Sequence, residues 1–285
     1  MSPKKIFISL LFLSLFALPV HAEMVKKSNF KAFKNAQAGS YSVAVLDNST
    51  GKVLFSKRAN DEKPVASITK IIGAYVFLEE KPNLSQKVCM EQKDEVAGGR
   101  LRLPVGSTMK AKDFLYSSLI GSANNSATAL IRLSGLTKDK FIDKMNNLAK
   151  DAGAEDANFV DSSGISPDNE ASAQDLALIG QKVFSKSKIC QISARKKYTF
   201  SYNGGRGSKT VTHTSPIVNN KNSSFSIISA KTGYLPEVGN NLIVKLRSKK
   251  NKKNQIIIAL MGAKTKNATT QDAIKLGKWA FKNYK

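Results

Sequence analysis

Apolar and polar positions change period several times along this 285-residue chain. Tyr41, Val43 and Val45 alternate with smaller residues, Asp47-Asn48-Ser49-Thr50-Gly51 supplies turn chemistry, and Val53-Leu54-Phe55 resumes the apolar run. A two-residue period on both sides of such a turn predicts a strand, turn and strand over 39–57. After Pro64 the period lengthens: Ile68, Ile71, Ile72, Tyr75, Val76 and Leu78 recur at helical spacing until Glu79-Glu80-Lys81-Pro82 ends the run. Residues 111–185 read as largely helical with short polar breaks, Phe114, Leu115 and Leu119 sharing one face and Leu130, Ile131 and Leu133 another. Strand character returns at 226–230, which leads into Lys231-Thr232-Gly233. It continues at 242–246 and 255–261 on either side of Ser248-Lys249-Lys250-Asn251-Lys252-Lys253-Asn254. That pair reads as a hairpin whose charged tip prevents edge association. Residues 270–284 carry Ala273, Ile274, Leu276, Trp279, Ala280 and Phe281 on an amphipathic helix, read as packing on the sheet rather than on a membrane. Strands at both chain ends with helices between them imply one sheet closed around a helical insertion.

The first residues do not belong to this pattern. Lys4 and Lys5 precede an apolar run from Ile6 to Leu18, followed by Pro19-Val20-His21-Ala22. A basic start, an apolar stretch and a small-residue cleavage site describe a secretory signal peptide over 1–22, cut after Ala22. The apolar run is short for a bilayer span, and no later one is longer. The mature protein, 23–285, is therefore expected to be exported and periplasmic, with at most peripheral membrane contact. Composition agrees with a globular domain: 41% hydrophobic and 23% charged. Forty-five Lys+Arg against 21 Asp+Glu give a formal charge of +24, and loss of Lys4 and Lys5 leaves +22. The basic residues are not striped with aromatics, and an exported protein meets little nucleic acid, so no nucleic-acid partner is expected. A solvated basic surface, or attraction to an anionic wall polymer or lipid head groups, are the remaining readings.

Histidine and cysteine are scarce, which limits the chemistry. Once His21 is removed, His213 is the remaining histidine, and Cys89 and Cys190 are far apart in sequence. Zinc sites are built mostly from several His and Cys ligands, so neither a metal nor any other cofactor is expected. The two cysteines stay open between free thiols and one disulfide closing a long loop. A Ser-His-Asp triad would need His213, which reads as an ordinary polar loop residue in Thr212-His213-Thr214-Ser215-Pro216; no Gly-x-Ser-x-Gly elbow is present.

A serine activated by lysine remains. Beyond residue 22, Ser-x-x-Lys occurs at Ser28, Ser49, Ser67, Ser107, Ser185 and Ser193, so the pattern alone carries little. Only Ser67-Ile68-Thr69-Lys70 opens a strongly apolar helix. The i,i+3 spacing puts both side chains on one face. The positive helix start and burial both push the amine toward its neutral form, which can accept a serine proton. Two further pieces follow in order. Ser122-Ala123-Asn124 interrupts the helical region, and Lys231-Thr232-Gly233 ends a late strand. Ser-x-Asn recurs at Ser201-Tyr202-Asn203, whereas Lys-Thr-Gly occurs once.

With these three motifs the sequence resembles the serine D-alanyl-D-alanine peptidases, the low-molecular-mass penicillin-binding proteins related to serine β-lactamases. The resemblance covers essentially the whole mature chain. Phe159 to Ile165, with Ala171 to Ala177, is similar to the family's loop and helix after the second motif, and Gly233-Tyr234-Leu235 with Gly239-Asn240-Asn241-Leu242 to its continuation after the third.

The resemblance implies an α+β, β-lactamase/transpeptidase-like fold. An antiparallel sheet flanked by helices (sheet lobe 23–66 and 190–285) would stand beside an all-helical lobe (67–189), with the cleft between them. It also implies penicillin-sensitive hydrolysis of D-alanyl bonds in peptidoglycan stem peptides or cross-links through an acyl-serine, with β-lactams as covalent inhibitors. Ser67 would be the nucleophile and Lys70 its base. Ser122 would relay a proton, and Asn124 would hold Lys70 and the substrate amide. Lys231 and Thr232 would bind a substrate carboxylate. Gly233 would leave the strand edge unobstructed, and the N–H groups of Ser67 and Tyr234 would form the oxyanion hole.

Ala123 stands where glycine is common in the family, a small-for-small change. Glu155 and Glu170 do not sit in the local pattern of a β-lactamase deacylating glutamate, which makes a serine β-lactamase the weaker alternative. A non-catalytic cell-wall-binding protein is the alternative outside enzymes. The chain's end after its amphipathic helix resembles the shorter endopeptidase type rather than carboxypeptidases that continue into a second domain.

Overall fold

A computed structural model describes residues 23–285; the expected signal peptide, 1–22, lies outside them. Eleven strands and seven α-helices follow one another in these residues. In chain order they are β1 (Ser42–Asp47), β2 (Val53–Lys57), β3 (Lys63–Pro64), α1 (Thr69–Glu79), β4 (Lys87–Cys89), β5 (Thr108–Lys110), α2 (Ala111–Ile120), α3 (Asn124–Leu133) and α4 (Lys138–Asp151). Then come β6 (Glu170–Ala171), α5 (Ala173–Val183), α6 (Ser187–Ser193), β7 (Lys197–Tyr202), β8 (Gly207–Thr212), β9 (Phe225–Leu235), β10 (Gly239–Ser248), β11 (Gln255–Ala263) and α7 (Lys266–Asn283).

The main sheet is antiparallel in the order β2-β1-β11-β10-β9, so strands from both chain ends meet at its centre. β1 is buried at every position because the sheet has a layer on each face. On one face, Val43, Val45, Leu242, Val244, Ile258 and Leu260 pack against Ala273, Leu276 and Ala280 of α7. On the other, Ala44, Leu46, Ile243, Ile257 and Ala259 join one continuous core with Ile68 and Ile71 beside α1, Leu176 and Ile179 of α5, and Phe114 and Leu130 of α2 and α3. Helix α5, which the sequence reading places in the helical lobe, thus packs directly on β1, β10 and β11. Strand β9 is the edge that faces the Ser67 and Ser122 motifs.

Several expectations need adjusting. Helix α7 begins at Lys266 rather than 270, because Thr265 caps it by accepting the Ala268 N–H at 3.0 Å. β9 runs on through the Lys-Thr-Gly triplet to Leu235. The β7–β8 hairpin, with the second Ser-x-Asn match at its tip, went unread despite alternating Tyr198, Phe200 and Tyr202. Cys89 and Cys190 are free. Cys89 lies in the β4–β5 hairpin, while Cys190 in α6 donates to the Phe184 carbonyl at 3.2 Å.

Candidate active site

Ser67 sits in a 3-10 turn, Ala66–Ile68, that leads straight into α1. Ala66 holds φ +54°, a left-handed conformation rare outside glycine, and so aims the half-buried Ser67 at the cleft. Three positions on, Lys70 is 1% exposed. Its Nζ lies 2.7 Å from Ser67 Oγ and 2.7 Å from Asn124 Oδ1, and it also bonds the Ser163 carbonyl. The Asn124 amide orientation is fixed, since its Nδ2 donates to Ala97 O at 2.7 Å and leaves Oδ1 to the lysine. Two of Lys70's partners are oxygens without hydrogens. A neutral amine spends its two N–H groups on them and turns its lone pair to the Ser67 hydroxyl. Burial lowers Lys70 to about 7, with the Asp161 carboxylate opposing.

The second and third motifs close the other side. Ser122, at φ +57°, occupies the break between α2 and α3. Lys231 on β9 is fully buried and donates to Ser122 Oγ and to Thr232 O, each at 2.7 Å. Burial first, then repulsion from Lys70 and Lys266, holds its ammonium well below the ordinary lysine range. Thr232 Oγ1 shares a 2.6 Å hydrogen bond with Thr214 Oγ1. Tyr234 is 57% exposed on the rim of the cleft. Six of the eight sequence-predicted site residues therefore line one opening, and Lys70 and Lys231 lie buried behind it, hydrogen-bonded to Ser67, Asn124 and Ser122.

Gly233 also meets a constraint within the chain. A Cβ there would lie 2.6 Å from Val65 O and 3.2 Å from Ser67 N, so it would strike the turn that carries Ser67. His213 lies in the loop that follows β8, and it is buried there. Its Nδ1 accepts the Ser215 N–H at 3.0 Å, so its Nε2 carries the hydrogen toward the Ser193 and Ala230 carbonyls. Burial, then Lys231, pushes it down to about 4. The ring thus braces β9 behind Lys231 as a neutral group.

Sequence reasoning missed two contributors. Asp161 accepts the N–H groups of Ser163, Gly164 and Ser166 and a bond from Asn169 Nδ2, which shapes the loop that offers the Ser163 carbonyl to Lys70. Burial opposes its ionisation, but these bonds prevail and keep the carboxyl below its usual range. The signal lay in the Asp-Ser-Ser-Gly run. Lys266, at the start of α7, lines the cleft with Ser67, Ser122, Asn124 and Thr232, and no motif marks it.

The cleft holds about 350 Å³. A groove of about 530 Å³ beside Lys245 is larger but contains none of the residues of the three motifs. Among the described residues no cluster of His, Cys, Asp and Glu could hold a metal ion, and no helix is long and apolar enough to cross a membrane.

The peptidase S11 family, described as D-alanyl-D-alanine carboxypeptidase, matches residues 28–265. The chain belongs to this family. It is 29% identical over 272 residues to the D-alanyl-D-alanine endopeptidase of Pseudomonas aeruginosa, covering 94% of this chain and 86% of that protein. With the D-alanyl-D-alanine endopeptidase of Haemophilus influenzae it shares 33% identity over 211 residues, 73% of this chain and 70% of that one. The fold is that of the Streptomyces K15 DD-transpeptidase (TM-score 0.77, 24% identity), across 86% of this chain and 98% of that one. The α+β, transpeptidase-like architecture of this family is thus the architecture of the chain.

Proposed function

We propose that the chain is a penicillin-sensitive serine D,D-peptidase that hydrolyses D-alanyl bonds of peptidoglycan, with a preference for cross-links. The observation that carries the chemistry is the buried Lys70 amine, 2.7 Å from Ser67 Oγ and lowered to about 7. Ser67 Oγ attacks the carbonyl carbon of a D-alanyl bond while Lys70 takes the hydroxyl proton. The C–N bond then breaks, and a proton reaches the leaving amine through Ser122, beside Lys231. Water cleaves the acyl-serine with Lys70 again accepting a proton. Asn124 keeps Lys70 in place, and Lys231, Thr232 and Lys266 attract substrate carboxylate. The N–H groups of Ser67 and Tyr234 receive the oxyanion, a role in which each donor contributes about 2.7–4 kcal/mol. Both relatives named above are endopeptidases, which supports cross-links over stem-peptide ends. Neither Glu155 nor Glu170 is among the residues lining the cleft, which weighs against a β-lactamase. The signal peptide and an extracytoplasmic site of action belong to the same proposal.

Intact-protein mass after incubation with a β-lactam tests the nucleophile. A persistent adduct is expected on the wild type and not on Ser67→Ala. Rapid antibiotic hydrolysis without an adduct would instead indicate a β-lactamase. Neither adduct nor hydrolysis would favour a wall-binding protein without turnover. Parallel digestion of a cross-linked muropeptide dimer and a pentapeptide monomer decides the substrate: faster loss of the dimer is expected.

A further inference from the structure

The excess positive charge is not spread over the chain. Residues 187–285 hold 20 Lys+Arg against two acids, Glu237 and Asp272. Asp272 is buried and occupied by the N–H groups of Gly39 and Ser40. No ion pair among the described residues involves a residue beyond Lys186. Several of these cations lie along α7 and the neighbouring β10–β11 turn. Helix α7 exposes Asn267, Gln271, Lys275, Lys278 and Lys282 as a single stripe without an acid. At its far end Lys278 and Lys282 line a groove of about 550 Å³ with Lys250 from the β10–β11 turn, beside the hydroxyls of Ser223, Ser224 and Ser248. At its near end Lys266 lines the cleft itself. At 1.5 Å per residue the groove lies roughly 18–24 Å along the helix from Lys266.

We infer that the α7 stripe and this groove form an exosite for the carboxylate-bearing peptidoglycan polymer whose cross-link occupies the cleft, an inference that rests on the D,D-peptidase reading. Stem peptides carry free carboxylates at intervals along the glycan, so a polymer seated in the cleft presents further anions to a cationic track leading away from it. Unpaired lysines beside hydroxyl donors match carboxylates, and the field raises the local concentration of an anionic substrate. A membrane suits this face less well. Phe281 also lines the groove but is only partly exposed, and none of the more exposed large hydrophobic side chains (Val25, Tyr41, Val53, Val105, Val160, Tyr234) lies on α7 or the β10–β11 turn, so this face offers little to insert into lipid.

The test compares the purified protein with a Lys250→Gln/Lys278→Gln/Lys282→Gln variant by co-sedimentation with insoluble sacculi and with phosphatidylglycerol vesicles, from low salt to about 0.5 M. Wild-type binding to sacculi should fall steeply with salt, and the variant should bind about ten-fold or more weakly. Its rate on intact sacculi should drop in parallel, while its β-lactam acylation rate and its cleavage of a soluble dimer stay unchanged. Equal binding of sacculi by the two proteins, or tighter wild-type binding to vesicles than to sacculi, would overturn the exosite. Absence of β-lactam acylation in the wild type would instead sink the peptidase reading and leave the binding result standing.

Discussion

Lys70 can serve Ser67 as a base only while Asn124 Oδ1 and the Ser163 carbonyl consume its two N–H groups, because a third proton would fill the lone pair that faces the hydroxyl. With the amine lowered to about 7, β-lactam acylation should rise as pH climbs through about 7, following the neutral lysine. Lys70→Arg, which keeps the charge and cannot release a proton, should slow acylation about 10²–10⁴-fold; rates from stopped-flow or timed mass spectra between about pH 5 and 9 check both. His213 shows the other consequence of burying a base. Its folded-state value of about 4 lies below the ordinary 6.5, so between those values the unfolded chain binds more protons than the folded one. Stability should therefore rise from pH 4 to 6.5 and level off above. His213→Asn, whose side-chain oxygen can still accept the Ser215 N–H, should flatten that rise in urea titrations at low and neutral pH.

Between elements, the site depends on how the 159–166 loop meets the nucleophile turn. Gly164 holds φ +73°, and a Cβ there would fall 1.9 Å from the Ala66 carbonyl oxygen. Gly164→Ala must push the turn and loop apart, so it should cost about 1–3 kcal/mol in thermal unfolding and cut acylation far more than that loss of stability implies. Unchanged acylation in a folded variant would show that the loop does not set the geometry of Ser67. This junction also marks how far the sequence was legible. Ser67, Lys70, Ser122, Asn124 and Lys231 could be found because each motif stands where the hydrophobic period breaks. The Ser163 carbonyl could not, since a main-chain acceptor has no residue type to announce it. Asp161 acts through hydrogen bonds that only the folded loop brings together. The constraint on Gly233 was illegible for a related reason: strand alternation says which side a Cβ points to, but not that Val65 and Ser67 lie beneath it. Helix α7 starts earlier than its apolar spacing suggested because a threonine cap, not a hydrophobic residue, begins it.

Across the whole molecule, the cleft lies between layers that share a core. The sheet's inner face contributes Ala44, Leu46, Ile243, Ile257 and Ala259 to the same apolar cluster as Phe77, Phe114, Phe141 and Leu176 from the helices. Pulling sheet and helices apart would expose that cluster, so neither side gains stability alone by keeping its own half. The outer face is tied in as well, because β1, β10 and β11 bury alternate residues in the two clusters and cannot lose one without the other. The single tryptophan makes this testable. Trp279 packs edge-on against Phe30, Phe33, Phe55 and Tyr284 in the outer layer, remote from the helical side. In a urea titration its fluorescence should share one midpoint with the helical circular dichroism and with the loss of labelling by a brief pulse of fluorescent penicillin, which requires the cleft to be assembled. Labelling lost at lower urea than the tryptophan signal would mean that the helical side detaches from an intact sheet, and that the shared apolar cluster does not bind the two into one cooperative unit.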